Sequence, residues 1–140
     1  MTTLVFEYAT TLDAARAAVR ELLRDDVDER DWSGEARLPR WTDCFARDAG
    51  GWAGRVEVDT ADQLVVHRDG AAACGTETFA LWGVTTGRRC ELHYVLSVRV
   101  NGLCGSMLAA RAWWRLRAHA RAHRAAVERR CAGAGAGAVF

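Results

Sequence analysis

The sequence predicts an α+β fold in which a curved antiparallel β-sheet wraps around a long C-terminal α-helix. Three observations predict it. Short alternating segments separated by turn signals run from Trp41 to Asn101, and the apolar period then becomes helical for roughly twenty-five residues. A strand followed by a helix precedes both.

Leu4, Phe6 and Tyr8 alternate with Val5 and Glu7 in a β-rich run, the first strand. Thr11 or Asp13 can then cap a helix over Leu12–Leu23, where Leu12, Ala15, Val19, Leu22 and Leu23 recur at helical spacing. Residues 24–40 are acidic and interrupted by Gly34 and Pro39, the only proline; they read as a loop or short helix anchored by Trp32. Strands are expected near 41–47, 52–58, 63–68, 72–84 and 89–101, with hairpin turns at Asp69-Gly70 and Thr86-Gly87. Asn101 or Ser106 can cap the last helix, which is expected to end before a flexible Ala/Gly tail at 133–140. Residues 1–132 form one domain, since a chain of 140 residues is of ordinary single-core size.

Composition narrows the class of protein. Half of the residues are hydrophobic and 26% are charged, as in globular chains; no apolar run is long enough to span a bilayer, and the N-terminus lacks a signal-peptide layout. A cytoplasmic protein is expected. All 19 basic residues are Arg and Ile is absent, a bias of GC-rich coding such as an actinomycete's. Five Cys in no paired spacing point to reduced thiols, not to a disulfide framework or a zinc site. Residues 103–140 carry seven Arg and one Glu, a net +6, against a net −5 for the remainder. A basic helix leaning on an acidic body accounts for this better than a nucleic-acid or membrane surface, because the Arg residues are spread around the helix.

Hairpin arithmetic turns the outline into a pocket. A two-residue turn at Thr86-Gly87 pairs Leu81 with Leu92, Phe79 with Tyr94 and Glu77 with Leu96, so these six share the apolar face. Glu91, His93, Ser97 and Arg99 take the solvated face, and His67 joins them. The same register places Leu64, Val66 and Arg68 inward, with Val56 and Val58 on the preceding strand. On the last helix Leu108, Ala112, Leu116, Ala120, His123 and Val127 form the stripe that covers the sheet, and Trp113 borders it. Sparse polar groups in an aliphatic interior fix the orientation of a small apolar or aromatic ligand. The expected binding set is Phe79, Leu81, Leu92, Trp113, Leu116 and His123, and the expected catalytic set is Glu77, Tyr94 and Arg68. Glu77 leads that set, because a carboxylate among Phe79, Leu81 and Leu96 is desolvated and its pKa rises toward the range of a general acid or base.

The order of elements, and above all the stretch GTETFALWGVTTGRRCELHYVLSVRVNGLCGSMLAARAWWRLRAHARAH, resembles the START-like helix-grip superfamily, which includes polyketide cyclases and aromatases, lipid carriers and plant pollen-allergen proteins. The resemblance is one of layout over about residues 3–131. It implies a ligand cavity between sheet and helix. For the cyclase members it also implies pocket Arg, Tyr and hydroxyl groups that fold a poly-β-ketone and move its protons, types that Arg68 and Tyr94 supply. The function expected is cyclisation, dehydration or rearrangement of a polycarbonyl or aromatic intermediate of bacterial secondary metabolism without a cofactor; the alternative is a non-catalytic carrier or sensor of a lipid or aromatic metabolite. A homodimer is left open.

Other motifs carry less. His119 and His123 have the i,i+4 spacing of metal ligands, but no third ligand stands at readable spacing, so no metal is expected. Six Trp are read mainly as packing anchors. GxSxG, P-loop, dinucleotide and zinc signatures are all missing, which disfavours hydrolase, kinase and dehydrogenase chemistry.

Overall fold

A computed structural model describes residues 2–28, 38–45, 51–83, 87–100 and 105–138, with side chains throughout except at Asp28, 105–109 and 133–138. The strands are β1 (Thr2–Leu12), β2 (Ala53–Asp59), β3 (Gln63–Asp69), β4 (Ala73–Gly83) and β5 (Cys90–Val100). Helix α1 (Arg16–Asp28) follows β1, a single 3-10 turn (Trp41–Cys44) precedes β2, and α2 (Gly105–Ala138) closes the chain. All neighbouring strands are antiparallel in the order β1-β5-β4-β3-β2, so among the described residues β1 and β2 are the two edges. Among the described helices none is long and apolar enough to cross a membrane.

The central hairpin follows the sequence expectation pair for pair. Leu81 faces Leu92, Phe79 faces Tyr94 and Glu77 faces Leu96, and all six are buried. Gly87 has φ +68°, the left-handed conformation the turn needs, while Thr86 lies outside the described residues. On the other face His93 meets Glu7, and His67 bonds Thr76 and Asp69.

Five expectations require correction. The strand expected over 41–47 does not start there: residues 41–44 are the 3-10 turn, where Trp41 is fully buried and packs edge-on against Phe45 and Trp52, and residues 46–47 lie outside the described residues. Burying that indole outweighs the local β-like alternation. The first helix starts at Arg16, because Thr10, Thr11 and Leu12 continue the ladder opposite Leu92, Glu91 and Cys90. The second hairpin turns two residues beyond Asp69-Gly70, with Gly70 N–H donating to the Ala73 carbonyl and Ala71-Ala72 at its tip. This leaves Leu64, Val66 and Arg68 on the inner face. A bulge between Val56 and Val58 sets Val58 opposite Val65, so only Val56 keeps the face of Val66.

Helix α2 crosses the concave face against β1 and the 3-10 turn, with Ala112, Leu116, Ala120, His123 and Val127 buried. It runs to Ala138, into the segment whose composition marks a tail. The readings at Trp32, Asn101 and the side chains of Ser106 and Leu108 fall outside what the structure describes. Gly75, on β4 beneath the 3-10 turn, is where the Trp41 ring approaches the sheet: a Cβ there would lie 2.8 Å from the indole.

Candidate functional site

Among the described residues the inner face carries its buried carboxylate on β4. Glu77 on β4 is 7% exposed and sits beside fully buried Leu96 and Tyr94. Tyr94 stands opposite Phe79, so it is a diagonal neighbour of Glu77, and its hydroxyl donates to Glu77 Oε2 at 2.6 Å. Burial pushes the Glu77 carboxyl up to about 7; the Tyr94 hydrogen bond and the Arg68 guanidinium pull the other way. Desolvation therefore wins over both stabilising partners. Burial and the neighbouring carboxylate also hold the Tyr94 hydroxyl well above its ordinary value, so it titrates nowhere near neutrality.

Helix α2 brings two imidazoles to the tyrosine. His119 Nε2 lies 3.4 Å from the Tyr94 oxygen, and His123, one turn on, stacks on the Tyr94 ring with centroids 4.6 Å apart. His123 Nδ1 is 2.7 Å from the hydroxyl of Tyr8, which pairs with Tyr94 across β1 and β5 and stacks on it at 4.9 Å. Burial pushes His119 down to about 4; burial and His119 together push His123 down to about 3. Both rings are neutral at pH 7 and can donate from one nitrogen while accepting at the other.

These groups form a chain from the interior to solvent. A cleft of about 410 Å³ opens between the segment 38–45 and α2, lined by Pro39, Arg40, Asp43, Cys44, Arg115 and His119. Arg115 ties its two walls by donating to the Cys44 carbonyl at 3.3 Å. His119 is the one member of the buried polar chain that lines this cleft, and through Tyr94 it connects the cleft to Glu77. Ionised Glu77 accepts the Tyr94 proton, and the Tyr94 oxygen is then free to accept from His119 Nε2–H; protonated Glu77 can donate to Tyr94, whose proton turns to His119. The geometry allows a proton to move between Glu77 and the cleft without charged intermediates at the tyrosine.

The structure packs most of the residues read from the sequence into one core, but none of the expected binding or catalytic residues lines the cleft. Glu77, Tyr94, Phe79, Leu81, Leu92, Leu116 and His123 are all buried, and the Phe79 ring lies 5.2 Å from Tyr94 and 5.8 Å from His123. Arg68 is half-buried on the inner face, its side chain close to Gly54 and its charge acting on Glu77. Trp113 stands apart: it is 36% exposed and packs on Phe6 at 6.2 Å, on the opposite side of α2 from the cleft. Among the described residues no three His, Cys, Asp or Glu side chains are grouped to hold a metal, and the His119/His123 pair is engaged by tyrosines. Two members were not picked out from the sequence. Tyr8 carried a usable signal, its place in the β1 alternation; His119 carried only its spacing from His123.

No protein-family model and no curated protein matches the chain by sequence. Solved structures match it in shape. The Zhui aromatase/cyclase from Streptomyces sp. R1128 superposes with a TM-score of 0.61 at 14% identity, covering 99% of this chain and 97% of that one. The di-domain ARO/CYC StfQ from the steffimycin biosynthetic pathway gives 0.60 at 9% identity, over 96% of this chain and 52% of its own length. A START superfamily protein from Mycobacterium smegmatis gives 0.57 at 14% identity, over 89% and 97%. At such identities the likeness concerns the fold alone: this chain has the START-like helix-grip fold of the polyketide aromatase/cyclases.

Proposed function

We propose that this chain is a cofactor-independent enzyme that binds a small apolar polycarbonyl or aromatic intermediate in the cleft beside α2 and promotes its cyclisation, dehydration or rearrangement. The observation that carries this reading is the hydrogen-bonded chain Glu77–Tyr94–His119, which joins a carboxyl poised at about 7 to a cleft open to ligand. A carbon acid next to a carbonyl must lose a proton to become a nucleophile, and the hydroxyl lost in dehydration must gain one. His119 takes the proton at the cleft on one nitrogen as it releases another from Nε2 to Tyr94, and Glu77 receives it; the reverse sequence returns it to the leaving oxygen. The Arg68 charge favours the ionised state in which Glu77 acts as base. Polyketide aromatase/cyclase activity in similarly folded proteins supports this class of substrate.

Glu77→Gln preserves shape and removes the ionisable group. Incubated with a linear poly-β-ketone substrate, it should form product roughly 10²–10⁴-fold more slowly than wild type, with ligand affinity little changed. Wild-type turnover by Glu77→Gln would end the catalytic assignment. Recovery of every bound polyketide unchanged from the wild-type protein would make the chain a carrier.

A further inference from the structure

On the far side of α2 from the cleft, a groove of about 370 Å³ runs beside β1. Val5, Phe6, Glu7 and Tyr8 all line it. Successive strand residues point to opposite faces, so a groove touching four in a row follows the strand's edge and not either face. That edge is unoccupied among the described residues: β1 pairs with β5 and with no other strand, over eleven residues without a proline or a bulge. Proteins usually blunt such an edge, because its outward backbone N–H and C=O groups are a template for another strand. The opposite wall is a single stripe of α2 with Trp113, Arg117, Ala120, Arg121 and Arg124. Arg117 lies over the rings of Trp113 and Trp114 at 5.2 and 5.9 Å, Trp114 is 65% exposed, and Val5 is 59% exposed.

We infer that this groove is a docking site for an extended acidic segment of a partner protein, which adds as a sixth strand to the edge of β1 and lays its carboxylates along Arg117, Arg121 and Arg124. Charge selects the occupant. Three guanidinium groups line the groove against the one carboxylate of Glu7, and Arg124 is partly matched by Glu128 at 3.0 Å. A second copy pairing β1 to β1 across a two-fold axis would bring each Arg stripe toward its own image, which is repulsive. A bilayer would meet Trp114 and the arginines but has no backbone groups to satisfy a strand edge. An added strand presents alternate side chains to the helix, so acidic residues at every second position meet the arginines while its backbone pairs with β1. This site shares no lining residue with the cleft beside the 3-10 turn and does not rest on the proposed chemistry there.

The test uses the full chain and a fluorescein-labelled ten-residue peptide of alternating Glu and Val with one central Phe. Three comparisons accompany it: the same peptide N-methylated at every second residue, its Lys-for-Glu counterpart, and phosphatidylserine vesicles. The acidic peptide should bind by fluorescence anisotropy, more weakly as salt rises. Methylation should abolish binding and the Lys peptide should not bind. The double substitution of half-buried Arg117→Glu with exposed Arg121→Glu should weaken it by at least about tenfold while circular dichroism stays unchanged. Absence of binding at millimolar peptide, equal binding of the methylated peptide, or indifference to the charge reversal would each overturn the inference. So would concentration-dependent dimerisation blocked by Val5→Lys, or binding of the vesicles but not of the peptide.

Discussion

Tyr94 donates one hydrogen bond and so decides how the carboxyl beside it behaves. Its bond to Glu77 Oε2 favours the ionised carboxylate and partly offsets burial. Tyr94→Phe keeps the stacking on Tyr8 and His123 but deletes that bond and the link to His119. The Glu77 carboxyl should then titrate above its wild-type value of about 7, moving the acidic limb of the pH–rate profile to higher pH, and turnover should fall with the broken relay. An unmoved limb would show that the hydroxyl does not govern Glu77. Glu77 and Tyr94 were legible in the sequence because one turn and one alternating hairpin place them on the same face. Their partners were less so. His119 is bound 25 residues away from Tyr94, through a helix whose rotation over the sheet no local pattern specifies.

Among the elements, the hairpin β4–β5 was the most readable and the 3-10 turn the least. A glycine turn with apolar alternation on both sides leaves one register that buries Phe79, Leu81, Leu92 and Leu96 together. Trp41, Phe45 and Trp52 have the same alternating look, yet they form a knot of rings with centroids 5.1–6.0 Å apart. Whether such a run is a strand depends on what lies beneath it, and beneath it lies Gly75, far along the chain. The extra Glu57 of the β2 bulge was likewise invisible, since a bulge has no signature in a strand of alternating Val. Gly75→Ala tests the knot: a Cβ 2.8 Å from the Trp41 ring and 3.1 Å from the Ser97 carbonyl forces that ring outward. The expected cost is about 1–3 kcal/mol, seen as a melting temperature lower by roughly 4–12 °C. An unchanged melting temperature would mean that the turn is not packed on the sheet as described.

For the whole molecule, the buried titratable groups set how stability follows pH. His119 and His123 have folded pKa values of about 4 and about 3, below the ordinary 6.5, so the unfolded chain binds their protons first and stability is lost as pH falls through that window. Glu77 acts in the opposite sense: its folded value of about 7 lies above the ordinary 4.5, so the folded state gains stability as pH drops from 7 toward 4.5. Near pH 5.5 two histidines outweigh one carboxyl, leaving a net loss of roughly 1 kcal/mol per pH unit, with a nearly flat profile close to neutrality. Urea unfolding of wild type and of His123→Gln between pH 5 and 7 checks this, and the variant should show the shallower slope. The fold class was readable from the order of elements and their periods, and the solved aromatase/cyclase structures share it. The path of α2 was not readable, because a helix with so few large apolar residues takes its placement from contacts with β1 and the 3-10 turn.

The central claim is that the sheet and α2 enclose a carboxyl held near neutrality by burial and wired through Tyr94 to the cleft. The titration of Glu77 itself tests it most directly, followed by the side-chain carboxyl 13C resonance with Glu77→Gln used for assignment. The account predicts a midpoint near 7 that rises in Tyr94→Phe. A midpoint near 4.5, unchanged in Tyr94→Phe, would place this carboxyl in solvent and contradict the site.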